Sequence, residues 1–518
     1  MLKNRWWVPL ITGFMFVFCL PPFNGQLHPA LTLFPFASFV ALIPLFIFAR
    51  NPLGKRAMFH SYLFGLAASM GQVYWIGFVA PEGLWHLIIL GLFLAAFYLA
   101  LYYLAGAMLY RLFSRINPVV GILAGTAGWV LLEYIRELGD ISFPWMHMGY
   151  AVVPILPLAQ IASVCGVYGV SFIVVLVNLL ILNFLRTSVR NQNTQRSFEA
   201  VAVAFLLLIV VGIWGMARLH TPAKPDQQQI KISCIQANED QLHWTNNSLD
   251  TAFSDIGAMV QTASYSKPDL IVLSESALLC FLVRQPTFKA IVERWSTTTK
   301  IPLIVGALDC QPATNSNYRY FVYNTAFYVD TARQEFFPYN KIKLVPFSEA
   351  MPFEGILPIL SRVNLGEADF MRGIEHTVFS IGPTIKAAPL VCYEIIYPQF
   401  VRERVIRGAN ILINITNDGW FGKTSGAYQH AVISQMRCIE NGISLARCAN
   451  SGFTMFVDPY GRVISRTKLY TRAILTATVP VGTLNTFYSR VGDWVVWVSL
   501  VLVITGVCGV VGLRMKKK

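Results

Sequence analysis

Eight apolar runs, each near 20 residues, constrain this 518-residue chain more than any other feature. They fall at about 6–21, 29–49, 58–79, 86–110, 117–135, 161–184 and 199–217, with the eighth at about 493–513. A run of that length can cross the hydrocarbon layer as a helix, whose backbone polar groups satisfy one another without water. Between the seventh and eighth runs lies 219–492, a stretch of ordinary polarity. The whole chain is 55% hydrophobic and 13% charged, about half the charge of a soluble domain. A disordered chain, a small disulfide scaffold and a plain soluble enzyme are thereby excluded. The first run is not read as a cleaved signal peptide, because Pro21-Pro22 follow it with no small-residue cleavage site. The predicted architecture is a polytopic α-helical membrane protein of eight spans. It comprises a seven-span domain at 1–218, a separate domain at 219–492, and an eighth span with a basic tail at 493–518.

Lysine and arginine set the expected orientation. Lys3 and Arg5 precede the first span, Arg50, Lys55 and Arg56 lie between the second and third, and Arg111 and Arg115 follow the fourth. Arg186, Arg190 and Arg196 follow the sixth, and Arg514 with Lys516 to Lys518 closes the chain. The alternate loops hold almost none, Arg136 excepted. Both termini are therefore expected in the cytoplasm, and 219–492 outside it. The net charge of +14 divides accordingly: 219–492 holds 25 Lys+Arg against 21 Asp+Glu, and the rest holds 16 against 6. Most of the basic excess sets topology, and no cluster is long enough to trace a phosphate backbone, so nucleic acid is not an expected partner. Cys19, Cys165 and Cys508 lie within spans; the other six cysteines show no CxxC and no metal-type spacing, and their pairing stays open.

Within 219–492, apolar β-rich runs at 229–235, 269–273, 302–307, 325–329, 384–391, 411–415, 453–457 and 473–479 alternate with helical patterns at 247–264, 286–298, 398–407 and 427–443. This alternation predicts an α/β domain. Three of the strands end in reactive side chains: Ser274-Glu275, Cys392-Tyr393-Glu394, and Thr416-Asn417-Asp418-Gly419. Ligands of open α/β sheets bind at the carboxyl ends of strands, so these groups can converge there. Lys341, in Tyr339-Asn340-Lys341-Ile342-Lys343, follows the 325–329 strand and its continuation.

Singly, none of these residues carries a claim. A cysteine ending an apolar strand serves equally as a small core residue. Glu275 alone fits a helix N-terminus, Lys341 alone a solvated surface charge, and Asn417-Asp418-Gly419 an ordinary turn.

Together, Glu275 after a strand, Lys341 in Tyr-Asn-Lys and Cys392 in Cys-Tyr-Glu resemble the nitrilase, or carbon–nitrogen hydrolase, superfamily with its Glu-Lys-Cys triad. Further motifs are similar to those of the bacterial apolipoprotein N-acyltransferase family. They include Leu344-Val345-Pro346-Phe347-Ser348-Glu349, and the block Asn414-Ile415-Thr416-Asn417-Asp418-Gly419-Trp420-Phe421-Gly422. Gln429-His430, Arg437, Glu440-Asn441-Gly442, Arg447, Asn450-Ser451-Gly452 and Asp458-Pro459-Tyr460-Gly461-Arg462 follow, and Glu133-Tyr134-Ile135-Arg136 with Phe143-Pro144-Trp145 fit in the membrane part. The likeness covers nearly the whole chain. Two positions depart from the family pattern: Ser274 stands where proline usually precedes the glutamate, and Ser348 replaces the glycine of Pro-Phe-Gly-Glu.

The resemblance implies a nitrilase-like αββα sandwich outside the cytoplasm, on the periplasmic face of a bacterial inner membrane. It implies a ping-pong acyl transfer with Glu275, Lys341 and Cys392 as catalytic residues. A phospholipid would acylate Cys392, and the thioester would pass its chain to the N-terminal amine of a diacylglyceryl-cysteine apolipoprotein. In such a site Glu275 would take the thiol proton, Lys341 would favour the thiolate and the oxyanion, and the Tyr393 N–H would be a second oxyanion donor. Trp244, Glu349 and Glu394 match positions associated with substrate handling or support; Glu349 would orient Lys341 or Glu275, and Glu394 would at least brace the cysteine loop. The apolar segments 277–283 and 351–365 would shield a thioester from water, unless they are ordinary core. Asn417, Asp418 and Trp420 would line the pocket or form a structural turn, and His430 would be a hydrogen-bonded structural residue. Phe143, Trp145 and Tyr150 would anchor helices at the interface. No cofactor or metal is expected, there being no P-loop or GxGxxG in a strand–helix setting. The rival activity is a membrane-tethered amidase or nitrilase that releases the acyl group to water. A transporter is disfavoured, because the spans hold few mid-depth ionisable groups.

Overall fold

In a computed structural model, described over residues 5–21, 34–79, 85–189, 194–221, 227–239, 246–313, 320–353 and 370–516, the chain divides into two units. One is built from Met1–Val79, Trp85–Thr221 and Val491–Lys518, the other from Pro222–Arg490.

Five helices of the first unit are long and apolar enough to cross a membrane: Trp85–Phe113, Pro118–Ile135, Ala162–Val189, Gln195–Leu219 and Trp494–Met515. The remaining apolar runs do not form single long apolar helices among the described residues. The first is a ten-residue helix, Trp7–Phe16, tightening into a 3-10 turn at Val17–Cys19. The second is broken into Phe34–Ala37 and Ile43–Ala49, each with a proline in its first turn, where the missing N–H costs no helical bond. The third, Gly54–Val73, is a full 20 residues but carries Lys55, Arg56, His60, Ser61, Ser69 and Gln72, which dilute its apolarity. Ala162–Val189 bends at Gly166, whose φ of 63° lies in the region open to glycine. The aromatics expected as interface anchors are internal: Trp145 and Tyr150 are buried, and Phe143 stacks on Trp145 at 5.9 Å.

The second unit has 13 strands among its described residues: β1 (Gln229–Gln236), β2 (Leu270–Leu273), β3 (Leu278–Phe281), β4 (Leu303–Pro312), β5 (Tyr320–Asp330), β6 (Glu335–Asn340), β7 (Phe379–Ile381), β8 (Ile385–Val391), β9 (Ile411–Thr416), β10 (Leu445–Ala449), β11 (Met455–Val457), β12 (Val463–Arg466) and β13 (Ala473–Pro480). They form two sheets, ordered β13-β1-β2-β4-β5-β6 with β3 beside β4, and β12-β11-β10-β9-β8-β7. Each sheet has a parallel centre, β1-β2-β4 in one and β8-β9-β10 in the other. Parallel neighbours need a crossover, and helices supply it: Asn246–Ser264 and Pro286–Thr299 on the first sheet, Pro398–Ile406 and Ser425–Asn441 on the second.

Alternation along the strands makes the layers. Ile230, Ile232, Cys234, Leu270, Val272 and Ile304 meet Val391, Ile411, Ile413, Ile415 and Ala446 in a core between the sheets. The opposite faces of β1, β2 and β4 pack Ile235, Ile271, Leu273, Leu303 and Val305 against Phe253, Ile256, Val260 and Val292 of the helices. The result is a helix–sheet–sheet–helix sandwich. The segment 277–283 is part of it: Ala277, Leu278, Cys280 and Leu282 are buried in the helix–sheet core, so it packs as β3 and its margins and does not act as a shield. The segment 351–365 lies mostly outside the described residues.

Candidate active site

The parallel strands of both sheets deliver their following residues to one place. Glu275 comes just after β2, Cys392 directly after β8, Asn417 and Asp418 after β9, and Lys341 after the antiparallel β6. The hydrophobic interior of each strand is consumed by packing, so the polar residues just past its end are the ones available for chemistry.

Lys341, 1% exposed, lies between two carboxylates. Its Nζ donates to Glu275 Oε1 at 3.2 Å and to Glu349 Oε1 at 2.8 Å. Asn324, on β5, donates from Nδ2 to the same two oxygens at 2.9 and 3.3 Å. The backbone N–H of Asn417 donates to Glu275 Oε2 at 2.8 Å, and that of Val345 to Glu349 Oε2 at 2.9 Å. Burial favours a neutral amine, but the Glu275 and Glu349 carboxylates outweigh it and hold Lys341 well above the usual lysine range. It is an ammonium at any physiological pH.

Cys392 is buried and has a φ of 48°, a left-handed conformation that costs a residue with a Cβ. The turn aims its side chain away from the strand direction, into the field of the two charges. Burial pushes the thiol well above its ordinary value; Glu275 adds to the rise, while Lys341 and a hydrogen bond with Thr416 oppose it. At rest the group is a thiol that needs a base beside it.

Glu394 is wholly internal and reaches back to both loops. Its Oε1 accepts from Ile342 N at 2.7 Å and Lys343 N at 3.2 Å, its Oε2 accepts from Val391 N at 2.7 Å, and the Tyr339 hydroxyl donates to it at 2.7 Å. Arg404 Nη2 donates to that hydroxyl at 2.5 Å. Burial raises the Glu394 carboxyl, and these donors partly offset that cost. Tyr393 is buried, with its ring 5.5 Å from that of Tyr397. Trp244 lies outside the described residues.

Behind the cysteine runs a second polar cluster. Asp418 accepts from Arg447 Nη2 at 2.8 and 2.7 Å and faces His430 Nδ1 at 3.0 Å; Arg447 Nη1 also donates to Asn414 Oδ1, whose Nδ2 donates to Leu390 O at 3.0 Å. Asp418 is therefore anchored internally by Arg447, and His430 is a hydrogen-bonded partner to it. Asn324 escaped sequence reasoning. Its only signal there is a polar amide entering an apolar strand, which is common at strand ends.

Fold and site together define a nitrilase-type protein, and the family comparisons agree: the model described as "Carbon-nitrogen hydrolase" matches residues 231–488. The model described as "Apolipoprotein N-acyltransferase N-terminal domain" matches residues 12–180. A Geobacter metallireducens protein named apolipoprotein N-acyltransferase is 30% identical over 487 residues, covering 93% of this chain and 91% of that protein. A Chlorobaculum tepidum protein of the same name is 27% identical and covers 99% and 97%. Among solved structures, a carbon-nitrogen hydrolase from Helicobacter pylori G27 is 17% identical, covering 49% of this chain and 90% of its own, with a TM-score of 0.37. The chain belongs to the apolipoprotein N-acyltransferase family.

Proposed function

We propose that this protein transfers an acyl chain from a phospholipid to the N-terminal amine of a diacylglyceryl-cysteine apolipoprotein, through a thioester on Cys392. The observation that carries the reading is the buried Glu275–Lys341–Glu349 ion cluster held in the electrostatic reach of a cysteine at a strand end.

Glu275 takes the Cys392 proton, and the sulfur attacks the phospholipid ester carbonyl. Lys341 stabilises the oxyanion, and losing one such donor typically costs about 3–4 kcal/mol. The tetrahedral adduct expels the glycerol oxygen, which recovers the proton from Glu275 and leaves as lysophospholipid. The lipoprotein amine then attacks the thioester, Glu275 accepts an amine proton, and the proton returns to sulfur as the thiolate leaves. One ester bond is lost and one amide gained, with no cofactor consumed. Glu349 holds Lys341, Glu394 braces the two loops, and Trp244 belongs to substrate handling.

Eight spans at 1–218 and 493–518, with both termini cytoplasmic and 219–492 on the periplasmic face of the inner membrane, complete the reading. The lysine and arginine distribution supports it. Tethering suits the chemistry, because both substrates are lipid-anchored and meet a membrane-bound site at high effective concentration.

Incubating the purified protein with a chain-labelled phospholipid and mapping the adduct by mass spectrometry tests the proposal. The expected result is one acyl chain on Cys392, discharged by a diacylated lipopeptide amine and absent in Cys392→Ser. Free fatty acid as the main product, with no amide, would convert the reading to a hydrolase.

A further inference from the structure

Strand register makes Thr416 a neighbour of Cys392. β8 and β9 run parallel with Val391 opposite Ile415, so Cys392 and Thr416 come next at the carboxyl ends of two adjacent strands inside the sheet. Thr416 is fully buried. Its hydroxyl lies close enough to the Cys392 thiol to oppose the rise that burial causes, and it donates to Asp418 Oδ1 at 3.2 Å. Asp418 is already served by two bonds from Arg447 and by His430.

A hydroxyl has one proton and two lone pairs. While the sulfur is a thiol, its S–H can donate to Thr416 Oγ1, and the Thr416 proton lies on Asp418. A thiolate has no proton to give and needs a donor. Asp418 can release Thr416 without being stranded, because Arg447 and His430 remain.

We propose that Thr416 is a further catalytic residue, whose hydroxyl turns from Asp418 to the Cys392 sulfur as the thiolate forms and again when the tetrahedral adduct of amine and thioester expels the thiolate and leaves the amide. The sulfur's own proton goes to Glu275 throughout; Thr416 keeps its proton and only redirects it. This rests on the reading of Cys392 as the acylated nucleophile.

The titratable groups acting on the sulfur are Glu275 after β2, Lys341 after β6 and Asp418 after β9, and His430, from the helix Ser425–Asn441, stands behind them against Asp418 at 3.0 Å. All are unchanged in the Thr416 variants, so a shift between variants reports the hydroxyl. The test is iodoacetamide labelling of full-length protein across pH 6–10, read at the Cys392 peptide by mass spectrometry, with thermal melts alongside. Thr416→Val should label about tenfold more slowly at each pH on the rising limb of the profile, tenfold being one pH unit. Thr416→Ser should stay within about twofold of wild type. Should the valine variant not fold, Thr416→Ala removes the hydroxyl without placing a methyl against the sulfur and carries the same expectation. Superimposed profiles for wild type and the hydroxyl-free variant would overturn the proposal, as would a serine variant as slow as valine. A wild-type protein that takes no acyl chain on Cys392 would instead sink the function reading, while leaving the labelling comparison intact.

Discussion

The Glu394 carboxylate accepts the backbone N–H of Ile342 at 2.7 Å, and so joins the loop of Lys341 to the turn of Cys392. Its other oxygen takes Val391 N–H, the last residue before Cys392. Two loops more than 40 residues apart in sequence are thus set relative to one another by a single side chain. Glu394→Gln keeps the shape but turns an NH2 toward one of these donors. A buried unsatisfied donor costs about 1–3 kcal/mol. The thermal midpoint should fall, and acylation of Cys392 should slow at least about tenfold, measured with the chain-labelled phospholipid.

Lys341→Met should remove acylation and also strand two carboxylates. Losing one partner of a buried pair typically costs about 3–5 kcal/mol. Adding Glu349→Gln removes one stranded charge, so the double variant should regain part of the lost stability and none of the activity. A melt and an acylation assay on the same samples separate the two effects.

Gly306, on β4, passes directly under the turn that carries Glu275. A Cβ there would sit 2.2 Å from Ser274 O and 2.8 Å from Glu275 Cα. Backbone has no room to yield, so Gly306→Ala should displace Glu275. Overpacking typically costs about 1–3 kcal/mol, while the acylation rate should drop more steeply than that cost suggests. Comparing the rate with the unfolding midpoint checks this.

Asp418 should make the domain sensitive to acid. Burial alone would raise its carboxyl, but the Arg447 guanidinium and His430 outweigh it and hold the group well below its ordinary value of 3.8. Below 3.8 the unfolded chain binds the proton that the folded chain still refuses, so stability falls as pH drops through that window toward the depressed folded value. Above it the contribution is complete. Asp418→Asn should melt lower than wild type at pH 7, and the gap should narrow between about pH 4 and pH 2. Melts across that range decide it.

Ser274 offers the opposite case. Its hydroxyl is buried with no hydrogen-bond partner among the described residues, at the position where the family usually has proline. Ser274→Ala removes an unsatisfied group and should leave the melting temperature unchanged or raise it, by up to about 1 kcal/mol in stability.

Much of the catalytic domain was legible along the chain because its signals are local. The strand at 229–235 became Gln229–Gln236, that at 411–415 became Ile411–Thr416, and the helix at 286–298 became Pro286–Thr299. Short edge elements were not visible. β7 and β12, three and four residues long, are stabilised by pairing with a neighbour and leave no periodicity of their own. In the first unit, hydropathy counted apolar residues without seeing the prolines at 35 and 44 as helix starts, so one run of 29–49 became two short helices.

Taken alone, the order of residues determined that apolar segments flank a polar domain, and that a carboxylate, a cysteine and an Asn-Asp pair each follow a buried strand. These follow from side-chain type and spacing over a few residues. Only the tertiary structure decided that Lys341 sits between Glu275 and Glu349, that Asn324 bonds both of those carboxylates, and that Asp418 turns inward to Arg447. The reason is that each such contact joins positions brought together by sheet pairing and by the packing of one sheet on the other. A one-residue slip in register would turn Asn324 on β5 and Arg447 on β10 to the opposite face and shift the loops that carry the others.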